Sequence, residues 1–374
     1  MMRLFCLKKI LVLTGIFLFF ILSPCAARGK THHPKAAFQD FPAAPWPEEM
    51  PDYSDPPPKN GDPGPLPESD LPGPAPPPED GSHSLTALPR NDSSRAEEVM
   101  KALAAAYPGR VGTAEYRNGD WAVPVREFRF DGKTVPAETW FYYAGGRILP
   151  EELRERAGEY DPQPFYYYPA ELPPWEAPGP EEDARLRAMA RGRQSNPPKR
   201  SQHFFDALWR AGSRNEAWDR VKSMRFLGRP VLVHYMILEE LALVEERILT
   251  EAKTKPRIQQ WINGLGTLDG WNWRNIADTR SRSFHAYGAA LDLLPRSPGG
   301  KESYWLWAAR RTPEWWTVSY DKRVHPPEEV IQAFECQGFI WGGKWLFFDT
   351  MHFEYRPEIL ILNRLPVSDE LQAD

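Results

Sequence analysis

Along residues 231–252, VLVHYMILEELALVEERILTEA, apolar side chains at Val233, Ile237, Leu241, Val244 and Ile248 recur at spacings of four and three. Glu239, Glu245 and Glu246 fall largely off that line. A period near 3.6 predicts one long helix with a face packed on a sheet. His234, beside the stripe, reads as a structural or exposed residue and not as a ligand. SQHFFDALWRAG (201–212) and NEAWDRVKSM (215–224) predict two shorter helices, and SRAEEVMKALAAAY (94–107) a third, capped by Ser94 with Glu97 three residues on. Alternating or clustered β-prone residues in WAVPVREFRF (121–130) and ETWFYYAGGRIL (138–149) predict strands on either side of a turn at 131–133. Residues 289–294 and 345–348 read as buried strands.

Composition then divides the chain. A basic start ending at Lys8 and Lys9, an apolar run over 10–22 and small residues Cys25, Ala26 and Ala27 predict a signal peptide over 1–27. The apolar run is short of the roughly 20 residues that span a bilayer, so a cleaved, exported chain is expected. LSPC resembles a lipidation site, but Pro24 stands where a small residue is usual. Of the 40 prolines, 16 fall within residues 31–80, which makes 28–89 an extended spacer able to tether the chain to a membrane or the cell envelope. Residues 90–155 read as a small α+β module, 156–198 as a linker and helical boundary, and 199–374 as the catalytic domain. Removing Arg3, Lys8 and Lys9 with the signal takes the formal charge from -5 to about -8, which excludes nucleic acid as a natural partner. It also leaves Cys336 alone, so no disulfide is expected and stability rests on packing.

The chemistry concentrates in two stretches. SFHAYGAALD (283–292) sets one carboxylate, Asp292, in an otherwise apolar strand, with His285 in the turn before it and Gly288 able to bring the chain back. A buried carboxylate needs a cation, a metal or several donors, and this pair alone fits a local hydrogen bond as well as half of a metal site. FIWGGKWLFFDTMHFEY (339–355) adds Asp349 and His352. His285, Asp292 and His352 make a His/His/carboxylate set suited to zinc with a fourth position for water, and Asp349 is then the proton acceptor.

These residues also carry a resemblance. SFHAYGAALD matches the SxHxxGxAxD pattern of the zinc D-Ala-D-Ala carboxypeptidases and L-alanyl-D-glutamate endopeptidases (VanY-like and LAS peptidases, family M15), and WGGKWLFFDTMHFE resembles their second motif. WNWRNIADTRSRSFHAYG (271–288) resembles the approach to the first ligand. The resemblance covers roughly residues 225–360. It implies an α+β, LAS/hedgehog-like domain, a small antiparallel sheet flanked by helices, acting on peptidoglycan stem peptides with one Zn2+ per chain. It carries His285, Asp292 and His352 over as metal ligands, Asp349 as catalytic base, and Ser283 as a residue orienting substrate or the first ligand. Arg274 is the first choice for a guanidinium that binds substrate and stabilises the transition state, with Arg280 and Arg282 as competitors. Trp341, Trp345 and Phe353 are expected as scaffold, Glu354 as the residue orienting a ligand, and His325 as a loop residue. Leu291 before Asp292, and Leu293, Leu294 and Pro295 after it, depart from the family's usual wording. The aromatic- and arginine-rich residues 296–330 are a candidate substrate lid, which leaves the bond that is cut open. A noncatalytic cell-wall binder keeping the same fold is the competing class, and another zinc amidohydrolase a third.

Overall fold

The computed structural model describes residues 92–128 and 134–367; the expected signal peptide, proline-rich spacer and 131–133 turn lie outside them. The chain opens with α1 (Asp92–Ala106), which buries Val99, Met100, Leu103 and Ala106 on one face. That face lies against an antiparallel sheet of β1 (Glu115–Arg117), β2 (Asp120–Phe128), β3 (Thr134–Tyr142) and β4 (Leu149–Pro150), in the order β1-β2-β3-β4. A 3-10 stretch at Glu151–Glu159 and α2 (Pro180–Ser195) follow. Next come α3 (His203–Trp209) and α4 (Arg214–Arg220), the latter started by a capping box between Ser213 and Glu216.

The second half begins with a hairpin of β5 (Val221–Phe226) and β6 (Arg229–His234), followed by α5 (Leu238–Ala252) and α6 (Pro256–Gly264). A second antiparallel sheet joins β7 (Leu265–Asp269), β8 (Ala290–Pro295), β9 (Phe339–Trp341) and β10 (His352–Tyr355) in the order β7-β8-β10-β9. Around it lie α7 (Phe284–Tyr287), α8 (Trp305–Ala309), α9 (Glu328–Glu335) and α10 (Pro357–Leu362). The architecture is a mixed α+β arrangement of small antiparallel sheets flanked by helices, preceded by an α+β module. One continuous core runs from Val99 and Leu103 of α1 through Leu241, Val244 and Ile248 of α5 to Leu291 and Phe353 of the second sheet.

Three sequence expectations of secondary structure fail for local reasons. The long helix expected from residue 231 starts only at Leu238, and the helix expected over 215–224 stops at Arg220, because 221–234 is a hairpin. Val231 and Val233 are buried on alternate positions of β6, and Leu227 and Gly228, both at positive φ (48° and 78°), close the turn. Helical spacing from Val233 onward was continuous with a strand period before it. Residues 345–348 are not a strand. Gly342 accepts from the backbone N–H of Asp349 (3.0 Å), which folds 342–349 into a loop, and pairing resumes only at His352. Cys336, expected as a lone thiol, is disulfide-bonded; the expectation assumed loss of both leading cysteines.

A smaller aromatic cluster joins α2 to the aromatic-rich 296–330 segment. Leu186 meets Trp305, Trp315, Trp316 and Phe348 there, with Phe347 packed against them. Trp316 Nε1 donates to Asp183 (2.9 Å), and Arg187 pairs with Glu314 (2.5 Å) while lying over the Trp316 ring.

Candidate metal centre

The second sheet puts two of the three ligand candidates directly opposite each other: Asp292 on β8 and His352 on β10 are register partners. His285 reaches them from α7, a helix of one turn whose N-cap Ser283 accepts from the His285 N–H (3.3 Å). Gly288 ends that turn at φ +71°, and a Cβ there would meet the His234 backbone nitrogen at 2.7 Å, so the return of the chain toward Asp292 requires glycine. His285 Nε2, His352 Nδ1 and Asp292 Oδ1 form a triangle with sides of 3.1, 2.9 and 3.1 Å. All three residues are at least 93% buried.

The donor set fits a metal such as zinc. A triangle of this size is a few tenths of an ångström smaller than one face of a tetrahedral site with bonds of roughly 2.0–2.2 Å, so a small outward shift of the side chains would hold the ion. Each imidazole also has its other nitrogen fixed. His285 Nδ1 lies 2.5 Å from the Gly270 carbonyl oxygen, and His352 Nε2 lies 3.1 Å from Glu354 Oε2. A proton held on those nitrogens leaves His285 Nε2 and His352 Nδ1 as bare lone pairs aimed at one point. Gly270 is fixed by close approach, since a Cβ would come within 2.0 Å of the Leu232 carbonyl oxygen.

Electrostatics set the state of the site. Burial alone would raise Asp292, but His285 and His352 outweigh it and hold the carboxyl well below its ordinary range. Burial alone would lower His352, but Asp292 and Glu354 raise it to about 10. Metal binding must displace that proton, so affinity falls as the pH falls. Glu354 is itself lowered by His352 and Arg356 against the opposing effect of burial. The polar contacts continue outward: Arg356 reaches Glu354 Oε1 (3.4 Å) and binds Glu358, and Glu358 accepts from Tyr107 Oη (2.8 Å). A line of buried polar groups thus runs from His352 to the residue following α1.

Asp349 sits at the end of the 342–349 loop, bridged to Tyr304, with Oδ1 buried and without a hydrogen-bond partner. Burial, and then the charge of Asp292, push its carboxyl up to about 7, while His352 and Arg274 act in the opposite sense. Arg274 faces the same cavity and makes no ion pair among the described residues. Its competitors do other work: Arg282 pairs with Asp206 and lies over Trp273, and Arg280 is not part of the cavity wall. Trp341 and Phe353 are fully buried, Trp341 donating to the Thr350 carbonyl and Phe353 stacked on Phe334. Trp345 is half-buried in the cavity wall, its ring 5.4 Å from His352. His325 packs on Trp341 away from the triangle. His234, fully buried, shares a hydrogen bond with the Trp209 carbonyl (3.0 Å) and is structural.

The site opens into a cavity of about 890 Å³. One wall comes from residues 269–294 and 344–356; the other from residues 163–167, α2, 200–205 and Tyr304–Trp307. Sequence reasoning missed this second wall, including Tyr166, Arg193 and Arg200, and it missed Asp269 opposite Asp292 and Tyr304 bridged to Asp349. A half-buried carboxylate at Asp269, opposite Asp292 in the ladder, was legible from the TLD end of a strand; nothing local announces the others.

Comparison with known families agrees with this geometry. Residues 277–355, which contain all three triangle residues and Asp349, match a family described as D-alanyl-D-alanine carboxypeptidase. Residues 99–165 match a domain of unknown function, DUF8518. Neither the curated proteins nor the solved structures gave a match to the chain. The match over residues 277–355 and the buried His–Asp–His triangle within it together support the assignment of this part of the chain as a zinc peptidase of the M15 type.

Proposed function

We propose that the protein is exported and cleaves stem peptides of peptidoglycan, with His285, Asp292 and His352 holding one Zn2+ per chain. The observation that carries this reading is the triangle of ligand atoms about 3 Å apart with a buried carboxylate beside it, one oxygen of which has no hydrogen-bond partner. Zinc in that position supplies Lewis acidity to the scissile carbonyl and acidifies a water next to it. Asp349 accepts the proton of the attacking water and delivers it to the departing amine nitrogen as the C–N bond breaks. A carboxyl raised to about 7 suits both transfers near neutral pH. Arg274 binds the substrate and opposes the negative charge that grows on the carbonyl oxygen. Ser283 orients the first ligand by capping α7.

A cavity of about 890 Å³ admits several residues of a peptide on both sides of the cut bond, which supports internal cleavage alongside removal of a terminal D-Ala. Metal analysis and muropeptide digestion followed by mass spectrometry test the proposal. One zinc per chain is expected, with products released at either the D-Ala-D-Ala or the L-Ala-D-Glu bond. A protein that binds muropeptides but releases no product, even loaded with zinc, is instead a cell-wall binder.

A further inference from the structure

The cations that line the cavity fall into two groups. Arg185, Arg282, Lys344 and Arg356 each hold a carboxylate of the chain: Glu182, Asp206, Glu335 and the Glu354/Glu358 pair. Arg193, Arg200 and Arg274 hold none among the described residues. Arg274 is the guanidinium assigned to the scissile carbonyl above. The remaining two come from the upstream wall, outside the matched segment 277–355.

Arg193 is in the last turn of α2, its guanidinium 4.5 Å from the Phe347 ring and 5.8 Å from that of Trp305. Stacking on those faces fixes the plane of the group and leaves its edge for a ligand. Its Nε is buried without a hydrogen-bond partner. Asp278 acts on it from a distance but makes no ion pair with it. Arg200 is fixed through its backbone, whose N–H donates to Ser281 Oγ (3.1 Å), and its Nε donates to the Pro162 carbonyl oxygen (3.2 Å). Both residues line the same cavity; burial lowers both guanidinium pKa values, and the charge of Arg193 lowers Arg200 further while Asp161 acts in the opposite sense. Two partly desolvated like charges without an ion-pair partner among the described residues cost stability, and that cost is reduced when an anion binds beside them. A carboxylate, with two oxygens and four lone-pair directions, is matched to two forked donors.

We propose that Arg193 and Arg200 form a second recognition site in this cavity, for a side-chain carboxylate of the bound peptide. The substrate class is thereby narrowed to peptides carrying an acidic residue away from the cut bond. The inference rests on the peptidase reading for its substrate, but not on turnover, because the site is a binding site.

The test uses the zinc-loaded full chain and two synthetic stem-type peptides that differ only in a side-chain carboxylate or carboxamide. Binding is measured by fluorescence anisotropy of labelled peptides and turnover by product mass. The wild-type protein is expected to bind the acid at least about tenfold more tightly than the amide, and Arg193→Met, which keeps the stem over Phe347, is expected to remove that preference. Arg200→Met should do the same, and Arg193→Lys should restore part of it. Thermal melts of each variant report folding separately. Equal binding of acid and amide by the wild type overturns the proposal, as does a variant that weakens both peptides alike, or no binding of either. Acid-selective binding without cleavage upholds the site and instead defeats the peptidase reading.

Discussion

The two walls of the cavity are built by different means. The wall that holds the metal triangle stands on a hydrogen-bonded ladder, with Asp292 and His352 set by register and His285 by a one-turn helix that only glycine can end. The opposite wall stands on α2, attached through an aromatic cluster and a few half-exposed polar contacts to Asp183, Glu314 and Trp316. Ladder geometry fixes atoms to a fraction of an ångström, as metal ligation demands. A helix held mainly by packing can be repacked without disturbing the ligands, so this wall is where substrate preference can change at low cost to chemistry.

The contrast can be broken first on the ladder side. Asp349→Ala should lower kcat by on the order of 10²–10⁴ while zinc content, read by metal analysis, is kept. In the wild-type protein kcat/KM should rise with pH through about 7, because the carboxyl that accepts the proton must be ionised, and Asp349→Asn should remove that limb. Glu354→Gln removes the charged acceptor behind His352 and should weaken zinc about 10–100-fold in chelator competition. On the other wall, Trp315→Ala should cost about 3 kcal/mol in urea melts and raise KM, with zinc affinity unchanged. A fall in zinc affinity there would erase the distinction between the walls. Arg187→Ala, at the half-exposed edge of α2, should change stability by less than about 1 kcal/mol.

A further test concerns the support beneath both walls. Burial depresses His234 from 6.5 to about 3 in the folded chain. The folded state keeps this imidazole neutral while the unfolded state takes up a proton, so its contribution is complete above pH 6.5 and is lost progressively as the pH falls toward about 3. Urea melts of metal-free protein at pH 7.5 and 4.5 should show His234→Gln losing less stability between the two than the wild type.

What was legible in the sequence follows the range of the interactions. SFHAYGAALD encodes its own turn, since Ser283, His285 and Gly288 act within one helical turn and Asp292 lies in the strand it feeds; the pair could be singled out locally, but its reading as ligands needed His352 and the family resemblance. The 94–107 helix was legible because its apolar face and polar start are local. The β5–β6 hairpin was not, because Val231 and Val233 suit a strand while Val233, Ile237 and Leu241 also suit a helix, and only the positive-φ turn at Leu227 and Gly228 decides between them. Arg193 and Arg200 were beyond reach for a different reason. They sit among polar, proline-flanked residues that look like spacer; Arg193 becomes a cavity residue beside Phe347 and Trp305, more than a hundred residues away, and Arg200 through contacts with Pro162 and Ser281.

The line from His352 through Glu354, Arg356 and Glu358 ends at Tyr107, which belongs to the module matching a domain of unknown function. Glu358 is fully buried, so a protein trimmed to the peptidase half would keep its carboxylate and lose the phenol that solvates it. Genetic shuffling that joined this peptidase half to a different leading module would have to supply a hydroxyl at that one point in space. The two halves are therefore expected to be inherited together.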